Sequence, residues 1–384
     1  MWVKTDLLSL FRTKFIGRTA VILQKTYQKE YSVRQVVDRV TTLQCCKSDF
    51  WEREFSIGRH GMSTRALITG VTGQDGYYLA KLLGSQGYEV LGQTRFPSLV
   101  RADLSMLPIS FVSFDLQSQQ AWKGIIDEFQ PDEVYHLAGV SFVPTSWTSP
   151  NETIAANIEV TVNILEAMRM VANPPRLFYA CSSEVFGQPK CSMQSEETPF
   201  RPINPYGVTK AASLGMVESY RNRYGLFACS GILFNHESPR RDPNFVTRKI
   251  TKAVASIYMG VQDRLVLGNL DVARDWGYAG DYVICMFRML QSNTADDYVI
   301  GTGRLTSLEG VVDKAFQCVG LDWRDWVSVD PSFVRANDAK TLVADSSKAL
   351  RLLGWQAETS ISDVIEMMVE YDLQLIRNSK RIAA

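Results

Sequence analysis

From Arg65 to about residue 235, short apolar runs alternate with stretches of helical spacing. "RALITG" is the first run, and "DGYYLAKLLGSQG" repeats its apolar positions at helical intervals and ends at Gly87, a C-cap signal. "YEVLGQTR" and "ISFVSFDL" predict the second and third strands. A helix over 119–129 leads to "DEVYHLAG", and a long helix over 151–171 leads to "RLFYACSS". "YGVTKAASLGMVESYRNRYG" predicts a further helix and "LFACSGILFN" the sixth strand. Strands alternating with helices predict an α/β fold, a doubly wound parallel sheet of Rossmann type covered on both faces. After Asn235 the alternation becomes irregular. This predicts a dinucleotide-binding domain over 64–235 and a smaller α/β domain over 236–384, with segments returning to the sheet. Residues 1–63 do not share the pattern and read as an extension outside the fold, since "MSTRALITG" at Met62 opens like a complete protein. A transit-like segment or a peripheral helix is the alternative there.

Composition narrows the function classes. The 41 basic and 41 acidic residues cancel, so nothing predicts binding to nucleic acid or to an anionic membrane. No apolar run reaches the length of a membrane span. The seven cysteines have neither metal-type nor disulfide-framework spacing. A cytoplasmic protein with free thiols and no metal is expected.

Three stretches carry candidate chemistry. "ITGVTGQDG" joins the first strand to the first helix, with Gly70, Gly73 and Gly76 spaced for a tight turn and close approach of a pyrophosphate to backbone N–H groups. Thr72, Gln74 and Asp75 lie in the same turn. The second strand ends in "GQTR", with no acid for a ribose 2′-hydroxyl and with Arg95 about where a 2′-phosphate would lie, which favours NADP. Asp115 and Leu116 are expected beside the adenine, and Leu137, Ala138, Gly139 and Ser141 beside the ribose and nicotinamide. "CSSEVFG" ends an apolar run with Ser182 and Glu184, by itself a strand-to-loop junction. "NPYGVTK" puts Tyr206 and Lys210 on one face of a helix start. A free tyrosine, with a pKa near ~10, is a poor base. A nearby lysine and a nicotinamide cation are both expected to favour its phenolate.

In that order the three pieces resemble an extended short-chain dehydrogenase/reductase. More narrowly, the chain from about residue 64 resembles the GDP-mannose 4,6-dehydratase family, through "ITGVTGQDG", "QPDEVYHLAG", "GILFNHESPRR", "FVTRKIT", "LGNLD" and "RDWGYAGDYV". The resemblance implies that Tyr206 takes the 4-hydroxyl proton as hydride leaves C4 for NADP. It implies that Lys210 holds the nicotinamide ribose and polarises Tyr206, that Ser182 bridges Tyr206 to the sugar, and that Glu184 is the acid/base of water elimination. It further implies cofactor contacts from His236 and Arg241. Sugar contacts are implied from Ser141, Ser146, Glu184, Asn235 and Gly268, and diphosphate contacts from Lys249, Arg274 and Arg335. Asp338 is implied at the guanosine ribose. The partner is then GDP-mannose or a related GDP-sugar. Two departures stand out: "FPSLVRADLSMLP" is shorter than the family's loop there, favouring a homodimer over a tetramer, and Phe142 stands where the family often has histidine. GDP-manno-heptose is an alternative substrate. An NADP-dependent nucleotide-sugar reductase or epimerase is the alternative enzyme, and a non-catalytic NADP sensor would be expected to lack Tyr206 or Lys210.

Overall fold

The computed structural model describes residues 63–330 and 341–383. The extension over 1–63 lies almost wholly outside the described residues, as do Arg335 and Asp338. Gly61–Arg377 forms one compact unit.

The first half follows the alternation. In chain order it comprises β1 (Arg65–Thr69), α1 (Gln74–Ser85), β2 (Glu89–Gln93), α2 (Ala102–Ser105), β3 (Ile109–Val112), α3 (Gln119–Phe129), β4 (Glu133–His136), α4 (Val143–Thr148), α5 (Pro150–Ile154), α6 (Val160–Arg169), β5 (Arg176–Ala180), α7 (Pro205–Tyr224) and β6 (Ala228–Leu233). The second half adds β7 (Asn235–Glu237), α8 (Val246–Tyr258), β8 (Leu265–Leu267), β9 (Ala273–Tyr278), α9 (Ala279–Gln291), β10 (Tyr298–Ile300), β11 (Leu305–Ser307), α10 (Leu308–Gln317), β12 (Val327–Val329), β13 (Thr341–Leu342), α11 (Ser347–Leu353) and α12 (Ile361–Ala383).

Seven strands form one parallel sheet in the order β3-β2-β1-β4-β5-β6-β10. β10 and α9 come from beyond residue 236, so the second half is built into the first. Ala66, Leu67 and Ile68 are fully buried because both faces are covered. On one face Leu79 and Leu83 of α1 pack with Val283, Met286 and Leu290 of α9. On the other, Trp122 and Ile126 of α3 pack with Ile164 and Leu165 of α6 and with Leu214 and Val217 of α7. A third cluster joins α8, α10 and α12 to Trp276 of β9. The strand order reverses between β1 and β4, which opens a crevice at their carboxyl ends.

One predicted element differs. The helix expected over 151–171 is interrupted by a π turn at Ala155–Glu159. The widened turn lets the Asn157 side chain reach the loop after β4: its Oδ1 accepts from Val140 N at 3.0 Å and its Nδ2 donates to Val140 O at 3.2 Å. The same Nδ2 lies 3.0 Å from Thr209 Oγ1 on α7. Such turns recur where a side chain must be presented from a helix.

Candidate active site

The glycine turn is closed by backbone contact. Gly70 has φ +68°, and a Cβ there would stand 3.0 Å from the backbone of Ala138. A Cβ on Gly76 would meet Gly70 O at 2.5 Å, so α1 begins hard against the end of β1. The N-cap, Gly73, gives no side-chain hydrogen bond. Thr69 and His136 face each other across β1 and β4. Thr69 Oγ1 accepts from Leu137 N and Ala138 N, both at 3.1 Å, and lies 2.9 Å from His136 Nδ1. Burial, aided by the nearby Lys210 charge, pushes the His136 pKa down to about 3. The ring is therefore neutral; because two backbone N–H groups already donate to Thr69 Oγ1, that hydroxyl is free to donate to His136 Nδ1, and the loop carrying Leu137 and Ala138 is pinned.

Two residues of the turn face the "NHESPRR" segment. Gln74 Nε2 donates to His236 O at 3.0 Å, and Ser238 Oγ donates to Gln74 Oε1 at 2.7 Å. His236 Nε2 lies 3.0 Å from both Asp75 oxygens, its Nδ1 donates to Phe234 O at 2.7 Å, and its ring stacks on Tyr282 at 4.6 Å. Burial opposes charge on both partners, but their attraction and hydrogen bond outweigh it: Asp75 is lowered below 3.8 and His236 raised above 6.5. The His236 contribution to stability is complete below its ordinary value and lost as pH rises through the raised one. The Asp75 contribution is present above its ordinary value and lost as pH falls through the lowered one. The stability difference between the wild type and His236→Gln, from urea unfolding, should therefore be largest at about pH 5 and smaller by about pH 9. A difference independent of pH would contradict the ion pair.

The four candidate catalytic side chains are brought together by β5 and α7. β5 ends at Ala180, and Ser183–Val185 forms a short 3₁₀ turn capped by Ser182. α7 starts cleanly because Asn204 caps it, accepting from Gly207 N at 2.7 Å, and Pro205 occupies its first position. A Cβ on Gly207 would lie 2.5 Å from Glu184 O, so only glycine lets α7 approach the turn this closely. Tyr206 is 7% exposed, with the Ser182 side chain near enough to favour its phenolate. Glu184 is half-buried and accepts from Asn204 Nδ2 at 2.7 Å. Lys210 donates from Nζ to Ala180 O at 2.7 Å, with Nζ 5.8 Å from the Tyr206 ring centre. Burial pushes Lys210 down to about 8, against a small opposing effect of Cys181. Tyr206 is raised rather than lowered, because burial outweighs the effect of Ser182. Here the chain by itself departs from the expectation: Lys210 is turned to a carbonyl, and its charge does not offset the desolvation of the phenolate.

The remaining predicted residues lie on other elements. Thr72 and Gly73 are exposed in the glycine turn, and Arg95 is exposed just after β2. Asp115 is exposed and accepts from Gln117 N at 2.9 Å, while Leu116 O accepts from Trp122 Nε1 at 2.9 Å. Gly139 and Ser141 are exposed, and a Cβ on Gly139 would stand 3.9 Å from Lys210 Nζ. Ser146 is fully buried and donates to Val143 O at 2.7 Å within α4, so it presents no surface to a sugar. Asn235 is half-buried at the start of β7. Arg241 lies 3.2 Å from Glu237 and stacks on Phe245 at 3.6 Å, and Phe142 meets Phe245 edge-on at 5.5 Å. Lys249 donates to Val266 O at 2.8 Å, close to Gly268, which follows β8. Arg274 is buried in β9 and donates to Ala273 O at 2.9 Å. Asp275, beside it, is a residue the sequence did not single out. Its carboxylate accepts from Thr302 N at 2.9 Å, Gly303 N at 2.8 Å and Ala344 N at 3.1 Å, tying three segments together.

The family model described as GDP-mannose 4,6 dehydratase matches residues 67–368. GDP-mannose 4,6 dehydratase 2 of Arabidopsis thaliana is 41% identical over 333 residues, covering 82% of this chain and 88% of its own. GDP-mannose 4,6 dehydratase of Cricetulus griseus is 37% identical over 344 residues, covering 82% and 92%. Among solved structures, a UDP-glucose 4-epimerase of Thermotoga maritima superposes with a TM-score of 0.74 at 22% identity, over 82% of this chain and 100% of that one. RMD from Pseudomonas aeruginosa, complexed with NADPH, gives 0.69 at 22% identity, over 83% and 100%. Those two structures share the fold. The family match and the relatives go further: this chain belongs to the GDP-mannose 4,6-dehydratase family.

Proposed function

We propose that this protein is a hydro-lyase that converts GDP-D-mannose to GDP-4-dehydro-6-deoxy-D-mannose. The observation that carries the reading is the placement of a half-buried carboxylate, Glu184, on the turn that Ser182 caps and against the helix start that carries Tyr206. Oxidation or epimerisation at C4 needs only the hydroxyls and the lysine. Elimination of water needs a further acid/base group, and Glu184 supplies it.

The glycine turn fits a nicotinamide dinucleotide. It has backbone where side chains would obstruct a pyrophosphate, a helix start with no side-chain cap, and Gly139 close to Lys210 Nζ. A nicotinamide bound there would supply the acceptor for hydride from C4 and its donor back to C6. The chain does the rest. Tyr206, with Ser182 near it, removes the C4 hydroxyl proton. The resulting carbonyl acidifies C5–H, Glu184 removes that proton, the same carboxyl delivers it to the C6 oxygen as water leaves, and the proton taken up by Tyr206 balances the one that C5 regains when C6 is reduced. Lys210 is assigned to the nicotinamide ribose, a reading supported by its Nζ lying close to Gly139. Arg274 and Lys249 are assigned to the diphosphate, to which guanidinium forks and ammonium groups are suited, and Asn235 to the sugar. Incubation with GDP-mannose and NADP should give a product lighter by one water. Recovery of unchanged mass would overturn the reading.

The cofactor is assigned as NADP because Arg95 follows β2 and no acid stands there. Arg95→Ala should weaken NADP binding, measured by titration calorimetry, by about tenfold to a hundredfold, the worth of a hydrogen bond to a charged group. NAD binding should change little, and equal weakening would count against the assignment. The assembly is assigned as a homodimer. The short loop after Arg95 is tethered within its own chain, by an Asp103–Arg240 ion pair and by Arg101 Nη2 donating to Tyr371 Oη at 2.9 Å. No helix among the described residues is long and apolar enough to cross a membrane.

A further inference from the structure

Asn204 makes two hydrogen bonds from one amide, and each serves a different part of the site. Its Oδ1 accepts from Gly207 N at 2.7 Å and so caps α7, the helix that carries Tyr206 and Lys210. Its Nδ2 donates to Glu184 Oε2, also at 2.7 Å. The residue is 5% exposed, so water competes weakly for either bond. The two backbone segments are also stapled together around it. Arg201 N donates to Val185 O at 2.9 Å, and the missing Cβ of Gly207 leaves room for Glu184 O. A cap alone explains only the Oδ1 bond. Serine, threonine or aspartate would cap as well. An amide accepts from the helix with its oxygen and donates to the carboxylate with a separate nitrogen, whereas a hydroxyl has a single atom for both.

We propose that Asn204 is a positioning residue for the elimination half of the reaction. It fixes one oxygen of Glu184 against the helix that holds Tyr206, so that the free oxygen faces the C5 proton of the sugar already oriented by Ser182 and Tyr206. This rests on the dehydratase reading above. Asn204 itself gives and takes no proton. It limits the rotation of the Glu184 side chain, and its loss should slow the steps at C5 and C6 while leaving oxidation at C4 in place.

The test uses the full chain with Asn204→Ser, Asn204→Asp, Glu184→Gln and the double variant Asn204→Ser/Glu184→Gln. Serine and aspartate keep the cap. Serine is too short to reach Glu184, and aspartate offers no donor and sets a second negative charge beside it. Two rates are followed in D₂O: appearance of the C4 ketone, trapped by borohydride, and incorporation of deuterium at C5. Asn204→Ser should slow C5 exchange by about tenfold to a hundredfold, the worth of a hydrogen bond to an ionised group, with the C4 ketone appearing at a rate within about twofold of wild type. Asn204→Asp should slow exchange further. In the Glu184→Gln background, Asn204→Ser should add nothing, because the carboxylate it positions is gone. If Asn204→Ser slows both steps equally, or adds its full effect on top of Glu184→Gln, Asn204 is only a helix cap and the proposal fails. If one Asn204 variant fails to fold, the other decides by the same two rates. A wild type that dehydrates GDP-mannose while both Asn204 variants exchange C5 normally defeats this proposal alone. A wild type that never loses water defeats the dehydratase reading first.

Discussion

Glu184→Gln is expected to lower the rate of water loss from C6 by about a hundredfold to ten-thousandfold, the usual worth of a positioned acid/base group. Glutamine keeps the shape and the hydrogen bond with Asn204 can be retained by its carbonyl oxygen, so the turn at Ser183–Val185 should survive. What disappears is the capacity to accept and deliver a proton. Oxidation at C4 depends on Tyr206 and Ser182 instead, so the variant should still form the C4 ketone. Deuterium from solvent should enter C5 slowly or not at all, since a glutamine amide cannot remove that proton. This split separates a catalytic carboxylate from a turn residue. Normal turnover by the variant, with C5 deuterium still incorporated, would place Glu184 among ordinary strand-end residues and raise the reductase or epimerase reading to first place.

Tyr206→Phe is expected to stop the reaction one step earlier, with a loss in C4 ketone formation of about a hundredfold to ten-thousandfold. The ring is buried, and phenylalanine preserves its packing while removing the hydroxyl. No trapped C4 ketone should appear. C5 exchange should vanish as well, because C5–H is acidic only beside that carbonyl. Stability should change little or rise slightly, since a buried hydroxyl is lost together with its desolvation cost. The raised pKa of Tyr206 in the chain alone makes the demand explicit: burial disfavours the phenolate, and the chain's nearby cations do not offset it. The two variants thus block successive steps, and the pattern of ketone and deuterium distinguishes them without reference to overall rate. A Tyr206→Phe protein that still yields the ketone at the wild-type rate would remove Tyr206 from its assigned role.

Local features were legible in the sequence. The strands, the glycine turn, Ser182 and Glu184 at a strand end, and Tyr206 and Lys210 one helical turn apart all depend on residues within a few positions of each other. The doubly wound sheet follows from the same alternation. What the sequence concealed depends on register and on long-range partners. Thr69 and His136 meet because β1 and β4 align them across 67 residues of chain. A threonine and a histidine at the ends of neighbouring strands were the only available signal. Asp275 reads as part of a motif, yet its oxygens serve Thr302, Gly303 and Ala344. The bond from Ser146 to Val143 O likewise follows from the helical turn of α4. The turn to a π helix at Asn157 has no periodic signature and arises from the loop it must reach. Lys210 was placed correctly on its helix face, while its hydrogen bond to Ala180 O depends on where β5 ends.

The most direct measurement of the central claim follows one hydrogen. GDP-mannose carrying deuterium at C4 is incubated with the protein and NADP in ordinary water, and the product is examined by mass and by NMR. The account predicts a product lighter by one water, with a ketone at C4 and the deuterium now on C6, because the hydride removed from C4 is returned within the same turnover. Deuterium returned to C4 with the C6 hydroxyl intact, or lost altogether to free cofactor, would contradict it.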